Sequence, residues 1–460
     1  MSAVHGWSFL KLRDIASLKT GPFGSALHKS DYIVGGIPLI NPTHIKGGRL
    51  VPSTDVSVPH SIAAGLAEYR LNEGDIVMGR RGEMGRCAVV PGHAQDWICG
   101  TGSVVVKCSP AAMPAYLQRF LTAPATVAAL IGDSVGSTMI NLNQGVLLDL
   151  DIPLAPLPEQ KRIADKLDSV LARVDACRDR LDRLPALLKR FRRSVLAAAT
   201  SGRLTKDWRE ATSNCMPSCD EPIGWTVCKI KDAGKVQLGR QRSPKFHSGE
   251  SMRPYLRVQN VFEDRLDFSD VMTMDFPGED FERYQLHPGD ILLNEGQSPE
   301  YLGRPAMYRG ELPGACFTNT LIRFQAYSHV KPDYALMVFR NHMHSGRYIT
   351  EGTITTNIAH LGAGRFSEVE FPLPPMQEQH EIVRRVDVLF AFADRLEARL
   401  ATARKQVEQL TPALLAKAFR GELVPQDPAD EPAAELLKRL ATKRATAPQT
   451  RRGRKAVPSN

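Results

Sequence analysis

"PLAPLPEQKRIADKLDSVLARVD" at residues 153–175 and "PLPPMQEQHEIVRRVDVLFAFAD" at residues 372–394 are two versions of one segment. Pro153, Glu159, Gln160, Ile163, Asp168, Asp175, Leu181, Gly202 and Leu204 each meet an identical residue at a constant offset of 219 positions, from Pro153 with Pro372 to Leu204 with Leu423. No gap is needed between a proline-rich entry and a glycine exit, so the pattern reads as duplication of a structural unit.

Within the first copy apolar residues fall at Ile163, Leu167, Val170, Val174, Cys177, Leu181, Leu184, Leu188, Phe191 and Val195. The second copy places Ile382, Val386, Leu389, Ala393, Leu396, Leu400, Ala403, Val407, Leu410 and Leu414 in the same alternation of four and three. This is a heptad seam, and it predicts two long helices that pair with each other as an antiparallel coiled coil. Prolines fix an extended approach before Glu159, and Gly202 and Gly421 supply the stops. Pro185 inside the first seam and Pro412 near the end of the second predict a kink or a helix break, because proline lacks the backbone donor.

The regions before each helix repeat more loosely. Trp7 matches Trp225, "IPLINPTHI" (37–45) matches "RPYLRVQNV" (253–261), "YRLNEGDIV" (69–77) matches "YQLHPGDIL" (284–292), and Gly85-Arg86 matches Gly303-Arg304. Short β-branched stretches such as "TGSVVVKC" and "FTNTLIRF", with helical pieces at "PAYLQRFL" and "PDYALMVFR", read as a mixed α+β globule. The expected organisation is a pseudo-two-fold internal repeat of globule (1–152), helix (153–210), globule (211–371), helix (372–424) and a basic, disordered tail (425–460).

Bulk properties narrow the function. At 460 residues and 43% hydrophobic content the chain has room for two or three folded domains. No apolar run approaches a membrane span and "MSAVHGWSFLKLRD" lacks the apolar stretch of a signal peptide, so the expectation is a cytoplasmic protein without a membrane partner. Of eight cysteines, Cys215, Cys219 and Cys228 cluster without a nearby histidine, and no metal is expected. Lys438, Arg439, Lys443, Arg444, Arg451, Arg452, Arg454 and Lys455 carry eight of the nine net positive charges of a chain at +9, so global charge says little about nucleic acid. Locally, Lys235, Arg240, Arg242, Lys245, Arg253 and Arg257 face only Glu250 over residues 235–257, a density suited to phosphate contacts or to a solvated loop.

This order of globules and helices resembles the specificity subunit of type I restriction-modification enzymes. The resemblance rests on "PLAPLPEQKRIADKLD" and "PLPPMQEQHEIVRRVD", on the exits "LAAATSGRLT" and "LAKAFRGELV", and on the Gly74-Asp75-Ile76 and Gly289-Asp290-Ile291 turns. It implies that each globule is a target recognition domain for half of a split double-stranded DNA sequence. It also implies that the helices dock two copies of a methyltransferase subunit and, through it, restriction subunits. Such a subunit carries no catalysis and no cofactor of its own: S-adenosylmethionine belongs to the methyltransferase, and ATP and Mg to the nuclease and translocase.

Side chains at loop tips and strand ends, able to fork onto base edges or phosphates, are then the candidate readers. In the first globule these are Lys19, Asn41, Thr43, His44, Arg80, Arg81 and Arg86, with "GRRGEMGR" (79–86) the favoured loop because its glycines permit close approach. In the second they are Arg240, Arg242, Arg257, Gln259, Asn260, Asn294, Gln297 and Arg304, although matched Arg86 and Arg304 also suit a structural ion pair.

Two alternatives compete. Asn41-Pro42-Thr43-His44 echoes the Asn-Pro-Pro-aromatic motif of adenine methyltransferases, but Thr43 and His44 replace its second proline and ring, and no glycine-rich turn for a methyl donor precedes it. A purely structural coiled-coil scaffold accounts for the helices but leaves the globules without a role.

Overall fold

The computed structural model describes residues 4–22, 27–82, 84–132, 142–212, 224–355 and 358–446. Cys215, Cys219 and residues 447–460 lie outside them. The chain forms two compact units, Met1–Arg180 with Ala403–Asn460, and Leu181–Thr402. Each holds one globule and a portion of both long helices.

The first globule is built on an antiparallel four-stranded sheet in the order Ala16–Thr20, Ser103–Cys108, Ile76–Gly79, Cys87–Val89. The second repeats it as Gly234–Leu238, Leu321–Ala326, Ile291–Asn294, Pro305–Met307. A smaller sheet is also duplicated: Ile37–Ile40 pairs in parallel with Ile98–Cys99, as Met252–Leu256 does with Cys316–Phe317. Central strands such as "SVVVKC" are buried along most of their length, so they read as continuous apolar runs and not as alternation. Helix α1 (Pro114–Leu121) covers the first sheet, burying Leu117, Phe120 and Leu121 with Ile76, Met78, Val104 and Val106.

The long helices are α2 (Leu157–Thr200) and, after α3 (Pro332–His344) of the second globule, α4 (Met376–Phe419). In the first unit the start of α2, at Ile163, Leu167 and Leu171, shares a core with Leu415 and Ala418 at the end of α4. In the second, Val195, Leu196 and Ala199 at the end of α2 pack with Ile382, Val383 and Val386 at the start of α4. Start meets end both times, which is antiparallel pairing. Of the expected seam, Ile163, Leu167, Val174, Ile382, Val386 and Leu400 are buried, and Val170, Leu181, Leu188, Leu389 and Leu396 are half-buried. Leu410 is 45% exposed and leaves the seam. A strict seven-residue repeat drifts by roughly 20° per heptad on a straight helix, which moves the buried stripe onto Leu171, Leu196 and Leu415 instead.

Two expectations need correction. The break allowed for at Pro185 and Pro412 does not occur: each proline lies exposed inside a continuous helix. The segment after Gly421 is not a disordered tail throughout, because Ala433–Thr446 forms helix α5. Ala433 and Leu436 of α5 are buried in the first globule's core, with Leu437 and Leu440 against its edge, an i, i+3, i+4, i+7 stripe masked by the surrounding charges.

The duplicated Glu-Gln entry is the joint between helix and globule. Gln160 is fully buried: its Oε1 accepts from the Met113 amide (2.7 Å), and its Nε2 donates to the carbonyls of Ala111 and Ala155 (both 2.9 Å). Gln379 does the same with the Lys331 amide (2.7 Å) and the carbonyls of His329 (3.0 Å) and Pro374 (2.9 Å). Glu159 accepts from the Trp7 indole at 3.0 Å and Glu378 from that of Trp225 at 2.9 Å. The Tyr116 and Tyr334 hydroxyls donate to the Pro153 and Pro372 carbonyls. These partners explain why both copies spell Glu-Gln and open each globule with tryptophan.

Candidate nucleic-acid interface

In the first globule strand Ile76–Gly79 ends at a crowded edge. The Arg80 amide donates to the Gly102 carbonyl (2.8 Å), and the Arg80 carbonyl accepts from the Leu142 amide (2.9 Å). Glycine is required where loops converge: a Cβ at Gly100 would lie 2.2 Å from Asn41 Oδ1, and one at Gly21 would lie 2.1 Å from the Gly100 carbonyl oxygen. Pro42 packs against both Gly79 and Gly102, and the Arg81 stem also approaches Gly102. Asn41, Arg80 and Arg81 are thereby brought together, with Thr43 exposed beside them. Arg80 is half-buried and donates through Nε to the Leu142 carbonyl (3.1 Å), and burial, then the neighbouring Arg81 charge, lowers its pKa.

The other candidates of this globule separate. Lys19 is engaged by Glu68 at 2.6 Å over the Tyr69 ring; that hydrogen bond raises the lysine pKa and lowers the carboxylate's. His44 is buried and turned inward, with Nδ1 near the Leu39 carbonyl (2.9 Å) and the Asn41 amide (3.2 Å), so it closes its own turn. Arg86 lines a cavity of about 520 Å³ with Met84, Thr122 and Val127.

The second globule repeats the edge with other side chains. The Glu295 amide donates to the Thr320 carbonyl (3.0 Å), and its carbonyl accepts from the Leu361 amide (2.8 Å), as at Arg80. The loop of Arg257 lies alongside, through Val258 N–H to Thr320 Oγ1 (3.3 Å). Arg257 (2.7 Å) and Gln259 (2.5 Å) both donate to Asp270. Gln297 is half-buried, accepting from the Ser298 amide, and Arg242 is exposed beside the Tyr255 ring. Arg304 sits half-buried near the rings of Phe262 and Tyr301, where burial lowers its pKa.

Three expected readers of this globule are interior. Arg240, with a side chain 7% exposed, pairs with Asp280 at 2.8 Å, donates to the Asp275 carbonyl and stacks on Phe246. Asn260 is buried, its amide donating to the carbonyls of Asp267 and Asp270 (both 2.9 Å). Asn294 is 0% exposed at the end of its strand, where the first globule has Gly79. Arg240 and Asn260 face inward because partners elsewhere in the fold claim them, whereas the Asn294 side-chain amide is buried with no hydrogen-bond partner among the described residues.

A family model described as "Type I restriction modification DNA specificity domain" matches residues 5–186 and 222–404. The chain belongs to this family. It is 29% identical over 445 residues to the EcoKI specificity subunit of Escherichia coli K12, covering 93% of this chain and 92% of that one. It is 30% identical over 377 residues to the EcoBI specificity subunit of Escherichia coli, covering 74% of each. Its fold is similar to the HsdS subunit of Thermoanaerobacter tengcongensis, with TM-score 0.61 at 19% identity, covering 91% of this chain and 98% of that one.

As a specificity subunit the chain recognises DNA and is not the catalytic component. The methyltransferase and scaffold alternatives fall. Asn41-Pro-Thr-His is a short 3-10 turn closed by His44, not a clamp for a target base. Sequence reasoning favoured cations and so missed Glu295 and His360, whose Nδ1 lies 3.2 Å from Glu295 Oε2. The signal available was positional: Glu295 follows the strand of the second "GDI" turn as Arg80 follows that of the first.

Proposed function

We propose that each globule reads one half of a bipartite duplex target through the convergent loop tips at its sheet edge. Asn41, Thr43, Arg80 and Arg81 serve in the first globule, and Arg242, Arg257, Gln259 and Gln297 in the second. The observation that carries this reading is one edge built twice from matching backbone hydrogen bonds, around Arg80 and around Glu295, with different side chains on it. Equal scaffolds hold the reader, and unequal side chains select the bases. The helices hold the half-sites at a fixed spacing, since 44 residues of α-helix rise about 66 Å.

The duplicated joints give the same partner two related docking sites, one for each of two methyltransferase subunits, to which restriction subunits add. Val388 (56% exposed) and Phe392 (49%), one turn apart on α4, are apolar area suited to such a contact. S-adenosylmethionine, ATP and Mg belong to those partners. The domain boundaries at 152, 210, 371 and 424 follow from the same division of labour. The test is exchange of residues 1–152 for those of a relative, followed by genome-wide mapping of methylated sites. One half of the recognised sequence changes and the other stays; change in both halves refutes independent reading.

A further inference from the structure

Resting on that reading of the loop tips, we propose that Glu295 is a specificity-determining residue that selects a base presenting an exocyclic amino group. Position 295 is the structural counterpart of position 80. Each follows the third strand of the same sheet order, donates its amide to the carbonyl before the neighbouring strand (Gly102, Thr320), and accepts from a leucine amide (Leu142, Leu361). The charge at that place is inverted between the globules.

Glu295 is reachable at its edge. Its side chain is 21% exposed, and that of His360, which contacts Oε2 at 3.2 Å, is 45% exposed. Of the cations on the adjoining loops, Arg257 is tied, with Gln259, to Asp270, and Arg240 is buried against Asp280. The second edge therefore presents the Glu295 carboxylate where the first presents Arg80.

A carboxylate is an acceptor only, and it is repelled by the phosphates that flank every base. It fits a DNA-facing edge where it meets an amino donor, which the major groove offers as cytosine N4 or adenine N6. Arginine instead forks onto the guanine O6 and N7 acceptors. His360 acts as a positioning residue, holding one carboxylate oxygen so that the other is directed at the base. On this account the two half-sites differ because position 80/295 demands opposite edges.

The experiment uses the full chain assembled with its methyltransferase subunit, assayed on duplexes carrying each of the four bases at every target position. Thermal midpoints are recorded alongside. The wild type is expected to require cytosine or adenine at one position of the second half-site. Glu295→Arg, which installs the chemistry of Arg80, is expected to move that preference to guanine. Glu295→Gln, which keeps an acceptor for His360 but adds an amide donor that suits the adenine N7 acceptor, is expected to lower the preference for cytosine over adenine by roughly 10-fold or more at an unchanged midpoint. The first half-site stays as it was in both.

Unaltered base preference in both variants, with or without a fall in midpoint, overturns the inference and leaves Glu295 as a structural partner of His360. A paired Arg80→Ala and Arg81→Ala variant separates the two levels. If it relaxes the first half-site while the Glu295 variants change nothing, only this inference fails. If it too changes nothing, the loop-tip reading fails with it.

Discussion

Replacing Gln379 with alanine tests the claim that the Glu-Gln repeat is a mechanical joint. Gln379 is 0% exposed and makes three hydrogen bonds, at 2.7, 3.0 and 2.9 Å, to the Lys331 amide and the carbonyls of His329 and Pro374. Each intramolecular bond is worth about 1 kcal/mol net, and main-chain groups left buried without a partner cost more, so the loss is about 3–5 kcal/mol. Gln379→Glu is expected to be at least as damaging, because a carboxylate cannot donate to two carbonyls and sets negative charge against them.

The assay is hydrogen exchange at the Lys331 amide together with denaturant unfolding of the full chain. Protection of Lys331 is expected to fall along with overall stability, while the Met113 amide, held by Gln160 in the other copy, keeps its protection. Methylation mapping is expected to show loosened recognition of the second half-site alone. A stability change below about 1 kcal/mol with unaltered exchange refutes the joint, because three buried hydrogen bonds cannot be removed so cheaply.

Insertion of one heptad into both α2 and α4 is expected to lengthen the spacer between half-sites by about 3 base pairs, since seven helical residues rise about 10 Å against 3.4 Å per base pair, with both half-sites retained; sequencing of methylated sites checks it. Truncation before Ala433 is expected to destabilise the first globule by about 2–4 kcal/mol through the lost burial of Leu436 and its neighbours, read as a fall in thermal midpoint. Burial, followed by the nearby Arg347 charge, lowers the His342 pKa to about 4. Its contribution to stability is therefore complete above the unfolded value of about 6.5 and is lost as pH falls from there toward 4, a dependence that His342→Gln is expected to remove in pH-resolved melts. Glu263 loses its contribution in a lower window: burial alone would raise its pKa, but His344 and Arg340 hold it at about 2, so stability falls from about pH 4.5 downward.

Periodicity made the long helices and the duplicated globules legible, because both signals are carried by many residues at once. Expected from Glu159 to the stop at Gly202, α2 spans Leu157–Thr200. The candidate site was less legible for a local reason. Whether a polar residue at a strand end faces water depends on partners that sequence neighbours do not supply: the Leu39 carbonyl for His44, Asp280 for Arg240, the Asp267 carbonyl for Asn260. Several strands here have two residues, too few for alternation to assign a face. Glu295 was invisible for the opposite reason, since a search for cations discards the acidic member of a duplicated position.

The chain end shows what duplication demands of a single polypeptide. In the second unit the exit of α2 straps the entry of α4: after Gly202 turns at positive φ, Arg209 donates to the Gly202 carbonyl and to Glu378, and Asp207 pairs with Arg385 at 2.6 Å. In the first unit the entry of α2 needs an equivalent strap, and only the exit of α4 is available. Gly421 repeats the positive-φ turn, Asp430 pairs with Arg162 at 2.6 Å, and the Ala433 amide donates to the Gly6 carbonyl at 2.9 Å. Each strap sets a carboxylate on a helix arginine, Asp207 on Arg385 and Asp430 on Arg162; among the described residues the second unit's strap alone also brings an arginine, Arg209, onto the entry glutamate, Glu378. Glu159 thus keeps Trp7 but gains no arginine like Arg209, and burial raises its pKa. The segment that composition marks as a basic tail is therefore partly structural: its acidic turn and the apolar stripe of α5 complete the first globule, while Lys438, Arg439 and Lys443 lie on the exposed face of the same helix.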